Sequence, residues 1–169
     1  WTLTDEAVVG FGTNAKMNPP LREASDVEAI KAGIADGTID CIATDHAPHT
    51  PTEKDVEFQL APFGIVGLET SLALTITGLV ETGVITLERA IELMTSAPAQ
   101  ILGLKYQQFE TGVLREGGYA DICIFDPKAE WIVDPNEFHS LSRNTPFTGM
   151  KLRGLVQKTI WRGSVVYEV

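Results

Sequence analysis

Residues 39–49 read Ile39-Asp40-Cys41-Ile42-Ala43-Thr44-Asp45-His46-Ala47-Pro48-His49. The first six are mostly apolar and partly β-branched, the composition of a strand buried on both faces in the parallel sheet of an α/β protein. The run then changes character, with one carboxylate and two imidazoles falling within residues 45–49. In α/β folds the chemistry gathers at the C-terminal ends of the strands, and Asp45 stands at such an end. A carboxylate there is costly unless it is paired, hydrogen-bonded or bound to a cation. An isolated Asp would cap a helix or close a turn. With His46 adjoining and His49 in the same loop, metal or acid–base chemistry becomes the stronger reading. Three candidate ligands on a turning backbone still do not close a zinc site, which draws on distant parts of a chain. The third histidine, His139, lies in the polar stretch Asn136-Glu137-Phe138-His139 and reads as a surface residue.

Working outward, Met17-Asn18-Pro19-Pro20-Leu21-Arg22 contains two prolines, so it is a strand end or extended loop and not a helix interior. Ser25-Asp26-Val27-Glu28 fits a capping box, and Val27, Ile30 and Ile34 recur at helical spacing until Gly37 ends the helix. Residues 50–64 carry charges and prolines without periodicity and read as a long mobile loop of the kind that covers a site. Residues 68–80 are apolar nearly all round, as in a buried helix. Leu87, Ala90, Ile91 and Met94 form one face of another helix, and Pro98 opens a third that Gly103 ends. From Thr111 the pattern becomes β: Val113, Ile122, Ile124, Phe125, then Leu155, Val156, Ile160, Val165, Val166 and Tyr167, in short runs separated by Gly and by Asp126-Pro127. The expected architecture is α/β followed by a compact β module. No internal repeat or low-complexity segment interrupts it.

The chain's 169 residues, 44% of them hydrophobic, suffice for a core. With 13 Lys and Arg against 23 Asp and Glu, the net charge is -10, which repels phosphate backbones and anionic membrane surfaces. Nucleic acid and membrane are therefore excluded as expected partners. Cys41 and Cys123 form neither a CxxC pair nor a disulfide framework and read as two buried thiols in a reducing compartment. No apolar run reaches the roughly 20 residues of a membrane span, and no leader pattern opens the chain. A soluble, cytoplasmic protein is expected. Trp1-Thr2-Leu3-Thr4-Asp5-Glu6 reads as the interior of a longer protein.

Three sequences in order, Lys16-Met17-Asn18-Pro19-Pro20-Leu21-Arg22, Thr44-Asp45-His46-Ala47-Pro48-His49 and Pro62-Phe63-Gly64-Ile65-Val66-Gly67-Leu68-Glu69, strongly resemble class I dihydroorotases of the amidohydrolase superfamily. Gly118-Tyr119-Ala120-Asp121-Ile122-Cys123-Ile124-Phe125-Asp126-Pro127 and Asn144-Thr145-Pro146-Phe147 resemble the C-terminal β module of the same family. The resemblance spans essentially the whole chain. It implies a (β/α)8 barrel, of which residues 1–105 would hold strands seven and eight with their following helices, while residues 106–169 would form a small β-sandwich-like module. A complete barrel takes about 250 residues. The N-terminal half, with the family's His-x-His pair, its bridging lysine or aspartate and its two later histidine ligands, is expected upstream of Trp1.

The implied reaction is the reversible zinc-dependent cyclisation of N-carbamoyl-L-aspartate to dihydroorotate in pyrimidine synthesis, with two zinc ions in the complete enzyme. Zinc lowers the pKa of its water to about 7 and polarises the amide carbonyl. By the resemblance Asp45 is both metal ligand and proton carrier, moving a proton from the attacking water to the departing ring nitrogen. His49 matches the contact to the substrate carboxylate. Asn18 matches a residue that binds the ring through its side-chain amide. Backbone groups around Pro62 and Gly64 would face the ring's amide edge, where glycine permits close approach. His46 carries no ligand role and is assigned a supporting hydrogen bond or packing. The arginine and asparagine that complete carboxylate recognition are expected upstream, and Arg22 closes the loop after Leu21 instead. Residues 50–57 are given lid duty.

Two other readings compete. A hydantoinase, dihydropyrimidinase or allantoinase would share the metal site and β module, and His49 discriminates, since a neutral ring needs no donor there. A metal-less dihydroorotase-like scaffold for aspartate carbamoyltransferase has no physical need for Asp45, His49 and Asn18. A homodimer is the other assembly considered. The isolated 169-residue chain is expected to be inactive and poorly folded, because a partial barrel leaves sheet edges unpaired.

Overall fold

The computed structural model describes residues 1–104 and 111–169. The expected boundary between residues 105 and 106 lies outside the described residues. Six α-helices come first among these: α1 (Ala7–Phe11), α2 (Ala24–Ala35), α3 (Pro51–Lys54), α4 (Leu68–Thr75), α5 (Leu87–Met94) and α6 (Ser96–Ile101). Three strands follow, β1 (Ile122–Ile132), β2 (Lys151–Trp161) and β3 (Ser164–Glu168).

Residues 39–44 form no strand. They carry no regular secondary structure and range from half-buried to exposed, held by Ile39 N–H donating to Gly33 O and Ile42 N–H to Leu93 O, both at 2.9 Å. A strand exists only through pairing with a neighbour, and parallel sheets need both faces covered. Neither of the two expected barrel strands is paired among the described residues, whose one sheet is the antiparallel β1-β2-β3. The apolar face of residues 39–42 is nonetheless used. Ile39 and Ile42 pack with Trp1, Val84 and Ile85 against the buried Ile34, Leu79 and Leu93.

The helix expected from Ser25 begins instead at Ala24, after Glu23, with no side-chain cap. The capping box sits elsewhere: Thr50 accepts from Glu53 N–H while the Glu53 carboxylate accepts from Thr50 N–H, opening α3. Residues 50–64 are thus organised, where a long mobile loop was expected. From Glu69 to Val80 no residue is exposed, as α4 runs into a π-helical turn over Ile76–Val80. Thr86 caps α5 by accepting from Arg89 N–H.

β1 passes through Asp126-Pro127 as a bulge instead of stopping there. Pro127 has no N–H for the ladder, and the Asp126 carboxylate accepts from Lys128 N–H and Ala129 N–H, closing the irregularity. β2 and β3 join through Arg162 (φ 49°) and Gly163 (φ 82°), the left-handed pair of a type I′ hairpin. Cys123 is exposed on β1 and Cys41 is half-exposed, so neither thiol is buried as expected. The β1 end around Cys123 borders an open apolar groove facing α4 and α5.

The sheet packs on α4. Val66, Ala73, Leu74, Val133, Phe138, Phe147 and Leu152 share one core. β2 approaches the π-turn so closely at Gly154 (φ 99°) that a Cβ there would lie 2.5 Å from Ile76 Cδ1. Arg153 completes the docking, its backbone N–H donating to Thr77 Oγ1 at 2.8 Å and its guanidinium pairing with Glu81 and Glu130.

Candidate active site

Residues 44–49 lie against residues 63–68, which lead into α4. Ala47 N–H donates to Ile65 O at 2.8 Å. The approach is close enough that a Cβ on Gly64 would sit 2.4 Å from Ala47 Cβ, and Gly64 has φ 119°. Both features demand glycine. His46 turns to the start of α4, where Nδ1 accepts from Gly67 N–H at 3.1 Å and Leu68 N–H at 3.4 Å. It supplies the acceptor that a helix N-terminus lacks, and Nδ1 therefore carries no proton. The expected supporting role of His46 takes this form.

Asp45 is exposed and adopts φ 45°, a left-handed conformation that Asp tolerates better than most residues. Among the described residues its carboxylate has no hydrogen-bond or ion-pair partner. The conformation turns the backbone sharply between residues 39–44 and His46.

His49 is half-buried. Its ring Nε2 is 2.9 Å from Phe63 O. A carbonyl only accepts, so the proton is on Nε2. Nδ1 lies 3.9 Å from Glu53 Oε2. Glu53 is held by Thr50, whose N–H donates at 2.7 Å and whose hydroxyl donates at 2.8 Å. Those two hydrogen bonds, backbone first, with a smaller contribution from His49, keep the Glu53 carboxyl below its ordinary pKa. Beside His49 opens a cavity of about 260 Å³, lined among others by Thr13, Asn14, Thr50, Lys54, Arg143 and Asn144.

Two buried lysines shape residues 54–62. Lys16 Nζ donates to Phe58 O (2.7 Å), Gln59 O (3.1 Å) and Ala61 O (2.6 Å). It also lies 5.3 Å from the Phe58 ring centroid and 4.7 Å from that of Phe63, within cation–π range. Lys54 Nζ donates to Thr13 O at 3.0 Å and Pro62 O at 2.9 Å. Burial, and then the neighbouring Lys16 charge, push the Lys54 ammonium below its ordinary pKa. The polar groups of Gly64 are also engaged: its N–H donates to Lys16 O at 3.0 Å and its carbonyl accepts from Asn144 Nδ2 at 3.1 Å. A second lone pair remains on the Pro62 and Gly64 carbonyls.

Asp45, His49, Pro62 and Gly64 therefore lie in adjoining, hydrogen-bonded segments. Asn18 is exposed, two residues beyond Lys16, whose carbonyl joins its segment to Gly64. No hydrogen bond among the described residues links the Asn18 side chain to Asp45 or His49. Sequence reasoning passed over Lys16, Lys54 and Asn144 as site residues. Lys16 and Asn144 stand within the quoted motifs, but nothing local announces that their partners lie 42 to 97 positions away.

No group of three or more His, Cys, Asp or Glu side chains able to hold a metal converges among the described residues. His46 Nδ1 and His49 Nε2 are committed to backbone groups. Asp45 offers an open carboxylate and His49 an Nδ1 lone pair with no hydrogen bond, 3.9 Å from Glu53 Oε2, so among the described residues this donor set fits part of a metal site and not a whole one.

The family model described as "Amidohydrolase family" matches residues 6–166. The dihydroorotase of Citrifermentans bemidjiense is 56% identical over 168 residues, covering 99% of this chain and 38% of its own length. That of Pelotomaculum thermopropionicum is 55% identical, again over 99% of this chain and 38% of its own length. The chain thus spans about 38% of the length of these curated relatives. Among solved structures, an L-hydantoinase (dihydropyrimidinase) from Arthrobacter aurescens superposes with a TM-score of 0.89 at 34% identity, covering 98% of this chain and 37% of that one. A D-hydantoinase gives a TM-score of 0.85 at 24% identity, covering 99% of this chain and 37% of that one, a likeness of fold. The amidohydrolase match and the likeness to the 34% identical hydantoinase support a TIM-barrel-type superfamily for this chain.

Proposed function

The chain belongs to the amidohydrolase family, and from that premise we propose that the protein containing it is a dihydroorotase. It interconverts N-carbamoyl-L-aspartate and dihydroorotate, a step of pyrimidine biosynthesis. The observation that carries the reading is Asp45: its carboxylate is open, its backbone turns at φ 45°, and its segment also carries His49 and packs through Ala47 against Gly64 and Ile65. Dihydroorotases match the chain at higher identity than the hydantoinase does, which favours this substrate over a neutral ring. On the same reading residues 1–105 are the closing part of a (β/α)8 barrel, contributing strands seven and eight, and residues 106–169 are its β module. Residues 39–44 become a strand when barrel neighbours pair with them.

Asp45 is one ligand of a zinc centre whose other ligands come from the part of the protein that this chain does not span. When bound, zinc supplies an ionised water near neutral pH and polarises the amide carbonyl. The Asp45 carboxylate holds the proton released by the attacking water and delivers it to the ring nitrogen as the C–N bond breaks. In the synthetic direction it removes that proton from the carbamoyl nitrogen. His49, fixed through Nε2–H on Phe63 O, turns Nδ1 toward a carboxylate, Glu53 Oε2 at 3.9 Å, and the substrate carboxylate takes that place. Pro62 and Gly64 present their remaining carbonyl lone pairs to the ring's N–H edge, and Asn18 closes over the ring from the adjoining segment.

The test is hydrolysis of dihydroorotate and of dihydrouracil by the complete protein, with and without His49→Ala. Dihydroorotate is expected to be preferred, with KM raised about tenfold or more in the variant. Activity on dihydrouracil that equals or exceeds it and survives loss of His49 would make the protein a neutral-ring hydrolase.

A further inference from the structure

We infer that Asn144 is a positioning residue for substrate binding, holding His49 and Gly64 in one fixed relation; this rests on the dihydroorotase reading. Asn144 is 4% exposed. Its Oδ1 accepts from His49 N–H at 3.1 Å. Its Nδ2 donates to Ala47 O at 3.0 Å and to Gly64 O at 3.1 Å. Its own carbonyl accepts from Val66 N–H at 3.0 Å.

Two carbonyls and one N–H converge on the side chain, and a primary amide supplies the matching two donors and one acceptor. The partners also settle the orientation, since the flipped amide would set oxygen against two carbonyls and NH₂ against an N–H. Aspartate keeps the acceptor and loses both donors. No other polar side chain of this size satisfies all three groups.

The residue is delivered from outside the two loops it joins, by the segment between β1 and β2. That segment is itself clamped. The Glu69 carboxylate accepts from His139 N–H at 2.8 Å and Ser140 N–H at 3.0 Å, and Phe147 is buried in the core shared with Val66 and Leu74. The β module thereby reaches the site without touching the reacting atoms. Because Asn144 contacts the loop at Ala47 and His49 and not at Asp45, its loss falls on substrate binding before it falls on the chemical step.

The experiment uses the complete protein carrying Asn144→Asp, Asn144→Ala, His49→Ala and the double variant, with Arg153→Met as a control for weakened module docking. Kinetics on dihydroorotate are read together with hydrogen exchange of the Ala47, His49, Gly64 and Val66 amides. Both Asn144 variants are expected to raise KM about tenfold or more while kcat changes less than about threefold. Asn144→Ala should cost clearly less in the His49→Ala background, the signature of coupled residues. Exchange should quicken at Ala47 and Gly64, whose amides Asn144 does not touch, while Arg153→Met leaves KM and these four amides unchanged. Additive effects of Asn144 and His49, an unchanged KM, or quickened exchange confined to the His49 and Val66 amides would overturn the inference. If the unaltered protein does not hydrolyse dihydroorotate, the functional reading fails, and the exchange pattern still decides whether Asn144 couples the two loops.

Discussion

At Gly64 the backbone and the space agree. A methyl group there meets Ala47 Cβ at 2.4 Å, at φ 119°, so Gly64→Ala forces the two loops apart. We expect a loss of about 1–3 kcal/mol in stability and a raised KM for dihydroorotate, checked by denaturant unfolding and steady-state kinetics of the complete protein; an unchanged KM would remove Gly64 from the binding edge. At this scale much was legible. Asp45, His46 and His49 stood out because a charged turn after an apolar run has few physical uses, whereas Gly64 was marked only by the family resemblance. Asn144 was not legible. An amide's function is set by the three backbone groups around it, and here they come from residues 47, 49 and 64.

Elements were legible where the signal is local. α5 appears where the spacing of Leu87, Ala90, Ile91 and Met94 puts it, and each strand contains one of the β-rich runs, although β1 continues past Asp126-Pro127 to Ile132 and β2 begins at Lys151. The failures share a cause. Residues 39–44 have a strand's composition, but a strand is a property of pairs. Ser25 and Glu28 have the spacing of a capping box, yet the motif is realised by Thr50 and Glu53, where prolines and charges suggested only a loop. Residues 54–62 owe their order to Lys16 and Lys54, donors that no periodicity marks. Lys16→Met would leave three carbonyls without their donor, with a cost of about 3 kcal/mol. Limited proteolysis of the complete protein should then cut within residues 56–60 well before any other site. Unchanged cleavage would show that this segment holds its shape without the buried ammonium.

On the scale of the whole molecule, two layers meet. α4 and its π-turn form one, the antiparallel sheet forms the other, and the candidate site lies where the segment between β1 and β2 passes the loops that precede α4. The chain contributes one open carboxylate, a fixed histidine and a shaped edge, and spans about 38% of the length of its dihydroorotase relatives. The central claim is that Asp45 carries the proton in dihydroorotate hydrolysis. Its most direct test is kcat/KM for dihydroorotate of the complete protein with Asp45→Asn, measured alongside metal content and thermal unfolding. A fall of about a thousandfold or more, in a variant that unfolds at the same temperature, is the predicted result. A folded Asp45→Asn protein within tenfold of the unaltered rate would contradict it.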